Sequence, residues 1–122
     1  MAVEIHLTNG SVRVRTALGQ TQVQPLDQAV DVSSIDQADL LLTMLGVDGA
    51  VGAGFQVSVL TGMSDTTDEG WVSAGAFTAS NSGTFVEKRN FPGLLKYVRW
   101  QVQGLTGGTS VTFSVSGMGR SN

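Results

Sequence analysis

Cysteine is absent from this 122-residue chain, histidine occurs once and proline twice. Without cysteine there is no disulfide framework and no thiolate metal site. Charge is also scarce: only 14% of residues are Asp, Glu, Lys or Arg, where a typical soluble protein carries about 25%. Ten acidic against seven basic residues give a formal net charge of −3, which argues against a dedicated nucleic-acid binder. Met1-Ala2-Val3-Glu4-Ile5-His6 has no basic segment followed by an apolar one, so no secretory signal is expected. The longest strongly apolar run, Leu40 to Val47, falls well short of the ~20 residues of a membrane helix. A soluble chain that engages neither nucleic acid nor membrane is expected. With 41% apolar residues and so few charges, part of its surface is expected to lie against another chain.

Glycine, by contrast, is plentiful, with 16 residues. Asn9-Gly10, Asp48-Gly49, Gly52-Ala53-Gly54, Asn81-Ser82-Gly83 and Gly107-Gly108 punctuate the chain about every ten residues. Between them, short runs alternate apolar and polar with period two, as strands with one buried face do. In 97–103, Val98, Trp100 and Val102 oppose Tyr97, Arg99, Gln101 and Gln103. Val111, Phe113 and Val115, and Phe55, Val57 and Val59, repeat the pattern. Val3, Ile5 and Leu7, followed by Val12 and Val14, predict an opening hairpin turned by Asn9-Gly10, a pair suited to a type I′ turn. Weaker strands are expected near 28–32, 71–78 and 84–90. Ser34-Ile35-Asp36-Gln37 has the form of a helix capping box, with Ile35, Ala38, Leu41, Leu42 and Leu45 at helical spacing. A lone helix would displace strands from a small core, so we favour a turn near 33–37 and a strand over about 39–47, buried on both faces. Eight or more short strands make a β-sandwich or barrel. Residues 1–27 are expected to form an N-terminal hairpin or arm reaching a neighbouring subunit, and 28–122 the core, within a single domain. On that view, deleting residues 1–15 weakens assembly more than folding.

No catalytic constellation is expected. His6 falls on the polar face of the first strand, and nothing marks a nucleophile or an orienting carboxylate for it. The glycines at 46, 49, 52 and 54 lack the Gly-Lys-Ser/Thr sequence of a phosphate loop. Asp65, Asp68 and Glu69 could offer oxygens to Ca²⁺, but their spacing is not that of a calcium-binding loop, and a solvated hairpin tip fits them better. We expect no enzyme activity, metal or cofactor. Trp71 and Tyr97 are the aromatic residues expected at the surface, where a sugar could stack. Charge is distributed unevenly. Residues 16–87 hold nine acidic residues and no Lys or Arg, and the basic residues Arg13, Arg15, Lys88, Arg89, Lys96, Arg99 and Arg120 flank them. Either folding interleaves the two sets, or the subunit is bipolar and meets copies of itself. Arg13, Arg15, Tyr97 and Arg99 are the expected interface residues, since Tyr and Arg are enriched at hot spots.

The order of segments resembles a known group of proteins. Asp31-Val32-Ser33-Ser34 precedes an apolar strand and Phe55-Gln56-Val57-Ser58-Val59. A polar loop ending Glu69-Gly70-Trp71 leads to Ala76-Phe77-Thr78. Leu94-Leu95-Lys96-Tyr97-Val98-Arg99-Trp100 and Ser110-Val111-Thr112-Phe113-Ser114-Val115 complete the series. This resembles small all-β structural proteins of tailed bacteriophages and prophages, of the jelly-roll-like minor capsid or decoration type, over residues 30–117. The resemblance implies an all-β, antiparallel, jelly-roll-like β-sandwich of about eight strands. It further implies a non-enzymatic virion component, made in the host cytoplasm, that binds the major capsid protein or another virion protein and self-associates, with a trimer among the expected forms. A neck or tail component is the neighbouring alternative. A carbohydrate-binding sandwich using Trp71 with Asp65, Asp68 and Glu69 is the alternative of a different class.

Overall fold

The computed structural model describes residues 2–16, 21–48, 55–79, 84–103 and 109–121. They form ten strands: β1 (Ala2–His6), β2 (Val12–Thr16), β3 (Gln22–Val23), β4 (Val30–Asp31), β5 (Gln37–Asp48), β6 (Gln56–Gly62), β7 (Val72–Ala76), β8 (Phe85–Phe91), β9 (Tyr97–Gln103) and β10 (Thr109–Arg120). One turn of 3₁₀ helix, Leu26–Gln28, separates β3 from β4. Every pairing is antiparallel. Sheet A runs β1/β2–β10–β5–β8 and sheet B runs β3/β4–β9–β6–β7.

The first strand of each sheet is interrupted, and this corrects the expected opening hairpin. Ala2 to His6 pair with Arg120 to Ser116, and Val12 to Thr16 with Phe113 to Thr109. Both segments therefore run in the same direction along one edge of β10. Residues 7–11 bow out between them without reversing the chain. Gly10 has the positive φ (77°) expected of it, but the excursion is a bulge. Leu7, 1% exposed, anchors it in the core. Thr8 fills the gap in the ladder, its hydroxyl accepting the Val115 N–H at 3.2 Å.

Sheet B repeats the device. Gln22 and Val23 pair with Val102 and Gln101, Val30 and Asp31 with Val98 and Tyr97. Pro25 has no N–H to give a ladder, and residues 24–29 leave it. Gln24, 3% exposed, takes over the pairing of Trp100. Its N–H donates to Trp100 O at 3.0 Å, and its Oε1 accepts the Trp100 N–H at 3.1 Å. Its Nε2 then crosses to the other sheet and donates to Leu7 O at 2.6 Å.

With each interrupted strand counted once, eight strands lie in the order first–eighth–third–sixth in one sheet and second–seventh–fourth–fifth in the other. That is the strand order of a jelly roll, two Greek keys folded into facing sheets. The antiparallel β-sandwich expected of the chain is thus its fold. The segment expected as an arm, 1–27, contributes strands to both sheets of the sandwich. Ile5, Leu7 and Val14 are buried in the core beside Leu40, Leu42, Phe113 and Val115.

Alternation places that core. Ala38, Leu40, Leu42 and Met44 of β5 face Val57, Val59, Val98, Trp100 and Val102 of sheet B. Trp100 meets Phe113 edge-on with centroids 5.4 Å apart, and Phe77 meets Phe91 at 5.2 Å. The strand predicted over 39–47 is β5, with a turn before it. Its outer face is not buried as expected, because none of the described residues covers Leu41 and Leu45. Edge strand β8 breaks alternation by turning Glu87 and Arg89 toward the rim of the sandwich. Glu87 accepts the Thr78 N–H at 2.9 Å and Arg89 donates to Ala76 O at 2.8 Å. These charges tie the sheets together at that edge, and inward charges also discourage edge-to-edge pairing.

Among the described glycines, Gly117 has the least room for a side chain. A Cβ built there would lie 1.9 Å from the Asp39 carbonyl oxygen, which belongs to the paired backbone of β5 and cannot swing aside. Gly117→Ala is expected to cost about 2–3 kcal/mol through forced separation of β10 and β5. Equilibrium urea unfolding measures it, and an unchanged midpoint contradicts the packing described.

Candidate functional site

Two surfaces of the sandwich stand out, one on the outer face of each sheet. On sheet B, Arg99 points outward from β9 as its alternation predicts, but it is only 4% exposed. The loop over residues 63–71 folds back across it. Arg99 Nη2 donates to Asp68 Oδ1 at 2.9 Å and Nη1 to Gln24 O at 3.1 Å. Its guanidinium lies 4.4 Å from the centroid of the Trp71 ring, a cation–π contact. The indole rests on Gly62, where a Cβ would come within 2.8 Å of the ring, and its N–H donates to Thr67 O at 3.0 Å. Arg99 is therefore a covered post holding strand, loop and the 24–26 segment together. This corrects its expected place as an exposed contact residue: alternation gave the face but not the loop above it. Among the buried side-chain nitrogens and oxygens of the described residues, Arg99 Nε is the one without a hydrogen-bond partner. Beside it, a groove of about 640 Å³ opens between residues 23–26 and Trp71, floored by Leu60, Arg99 and Gln101.

The second surface is the outer face of sheet A. Thr112, Ser114 and Ser116 of β10 lie beside Gly46, Thr43 and Leu41 of β5, and Val86 and Lys88 of β8 continue those rows. Leu41 (40% exposed), Leu45 (51%), Val86 (63%) and Met118 (44%) stand out among small hydroxyl side chains. Leu45 is the extra residue of a bulge, since Phe113 pairs with Met44 and Thr112 with Gly46. Lys88 crosses the strand pair from Leu41. A polar cluster closes one end: Asp39 accepts from Arg120 at 2.6 Å and from Asn90 at 2.9 Å.

The remaining expected residues are dispersed. Arg13 reaches Ser110 Oγ from β2 at 3.3 Å. Arg15 pairs through its backbone with Ser110, and its side chain lies outside the described residues. Tyr97 is half-buried at the start of β9, with the Lys96 ammonium 5.3 Å from its ring centroid. His6 is exposed and bonded to Glu4. Asp65, Asp68 and Glu69 are exposed in the 63–71 loop. Asp68 turns to Arg99, and no group of three or more His, Cys, Asp or Glu side chains converges among the described residues. Basic and acidic residues interleave: Arg120 meets Asp39, Arg99 meets Asp68 and Arg89 meets Glu87. Folding thus dissolves much of the bipolarity of the sequence. The Ser33 N–H donates to Asp31 at 2.9 Å and, with the nearby Lys96, holds that carboxyl below the usual range.

The residue that sequence reasoning missed is Gln24. Its signal was present: a glutamine directly before Pro25, between Val23 and Leu26, where a strand must leave its ladder. The chain is a jelly-roll β-sandwich protein by its own strand order. No protein-family model matches it, and no curated protein does either.

Proposed function

We propose that the chain is a non-enzymatic structural subunit of a bacteriophage or prophage virion, of the capsid decoration or minor capsid type. It self-associates and binds the shell through the outer face of sheet A. The observation that carries this reading is that face: a broad antiparallel surface with Leu41, Leu45, Val86 and Met118 exposed among serine and threonine side chains. Exposed apolar residues grouped on one face mark protein–protein contact sites. The jelly-roll order and the resemblance over residues 30–117 support the virion assignment, and a second copy and the major capsid protein are the partners proposed. A neck or tail component would use the same face.

Replacing Leu41 and Leu45 together by lysine tests the reading. Both side chains are about half exposed, at 40% and 51%, and lysine keeps its alkyl stem on the sheet, so folding stability is expected to change by no more than about 0.5 kcal/mol. Sedimentation is expected to show the double variant at the 12.7 kDa monomer mass while the native chain sediments as an oligomer. A variant that retains the native oligomer mass places the interface elsewhere and overturns the proposal.

A further inference from the structure

Arg99 is held in an unusual state for a buried arginine. Its guanidinium is fixed by Gln24 O on Nη1 and by the Trp71 ring. Nε and Nη2 together form the side-on edge that takes both oxygens of a carboxylate. Here that edge is half used: Asp68 bonds Nη2 alone, and Nε is buried without a partner. The Asp68 side chain is 79% exposed while that of Arg99 is 5% exposed, so water competes for the carboxylate but not for the guanidinium. The groove beside it, about 640 Å³, has the size of a small-molecule site. Leu60, Pro25, Leu26 and Trp71 give it apolar walls, and the Gln101 amide adds a polar group.

We propose that this groove binds an acidic sugar, a pyranose ring bearing a carboxylate. The sugar carboxylate takes the Nε–Nη2 edge of Arg99 in bidentate fashion and displaces Asp68. The C–H face of the ring lies against the apolar wall, and Gln101 hydrogen-bonds a ring hydroxyl. Preorganisation favours the exchange, because Gln24 O and the Trp71 ring already position Arg99 and the group displaced is the solvated Asp68 carboxylate. The inference is independent of the assembly proposal, which concerns the opposite sheet.

Titration of the native chain with methyl glucuronide and methyl glucoside, followed by tryptophan fluorescence and amide NMR shifts, tests it. The two sugars differ only in the carboxylate. The glucuronide is expected to bind at least tenfold more tightly than the glucoside, with shifts centred on Trp71, Arg99 and Gln101. Asp68→Asn removes the competing carboxylate while leaving an exposed side chain, so it is expected to tighten glucuronide binding about threefold or more. Arg99→Lys, which lacks the two-atom edge, is expected to weaken it at least tenfold, with circular dichroism checking its fold. Equal affinity for both sugars, equal shifts with acetate, no binding, or weaker or unchanged binding in Asp68→Asn would each overturn the proposal. The Asp68→Asn result stands even if Arg99→Lys does not fold.

Discussion

Removing residues 1–15 is expected to leave a chain that does not fold. β1 and β2 together cover one edge of β10, and the deletion, which spares only Thr16 of the two strands, strips that edge of its ladder partners from Ser110 to Phe113 and from Ser116 to Arg120. Ile5, Leu7 and Val14 are each at least 94% buried, and burying such side chains contributes about 1.5–3 kcal/mol apiece. The sum rivals the ~5–15 kcal/mol that separates folded from unfolded states in whole domains. Thr8 and Leu7 O also leave, so the Val115 N–H loses its acceptor and Gln24 Nε2 its main partner. This reverses the expectation drawn from the sequence, that the segment serves assembly before folding. Far-ultraviolet circular dichroism and amide shift dispersion of the truncated chain decide the matter. A cooperative thermal transition within a few degrees of the native one contradicts the account.

Gln24→Ala is expected to be the most damaging single substitution outside the large core side chains. The glutamine side chain accepts the Trp100 N–H and donates to Leu7 O and Gln28 O, joining both interrupted strands at one point. Alanine leaves a buried donor and a buried acceptor unpaired, each costing about 1–3 kcal/mol, together about 3–4 kcal/mol. Gln24→Glu separates the two roles, because the carboxylate keeps an acceptor for Trp100 but faces Leu7 O and Gln28 O without a proton. Burial and those carbonyls raise its folded-state pKa above the unfolded value of about 4.3. The glutamate variant is therefore most stable below that value and loses stability as pH rises through the folded-state pKa. Urea unfolding at pH 4 and pH 7 reads both effects. A glutamate variant equally stable at the two pH values contradicts the bonding of Gln24.

The strands at 97–103 and 111–116 were legible because each alternates cleanly with one face in the core, whereas the continuation of β10 through Gly117-Met118-Gly119-Arg120 has no apolar alternation to show it. Residues 37–48 were legible only through context, since their leucines fit a helix as well as a strand. β7 was faint because Ser73, Ala74, Gly75 and Ala76 form a short edge strand with little apolar contrast. β8 was faint because Glu87 and Arg89 occupy inward-phase positions at the rim. Asn9-Gly10 supplied a positive φ, but turn chemistry does not fix which strand the following residues join, and β10 offered an edge long enough for both segments. The same locality limited the site. Alternation put Arg99 on the outer face of β9, while its burial depends on Asp68 and Trp71, which are 31 and 28 positions earlier.

The assembly reading rests on the outer face of sheet A being covered in the working state, and the native chain's mass in solution tests this most directly. Light scattering across a concentration series is expected to give a stable multiple of 12.7 kDa, a trimer or larger ring among the forms anticipated. A mass of 12.7 kDa at every concentration would contradict self-association through that face.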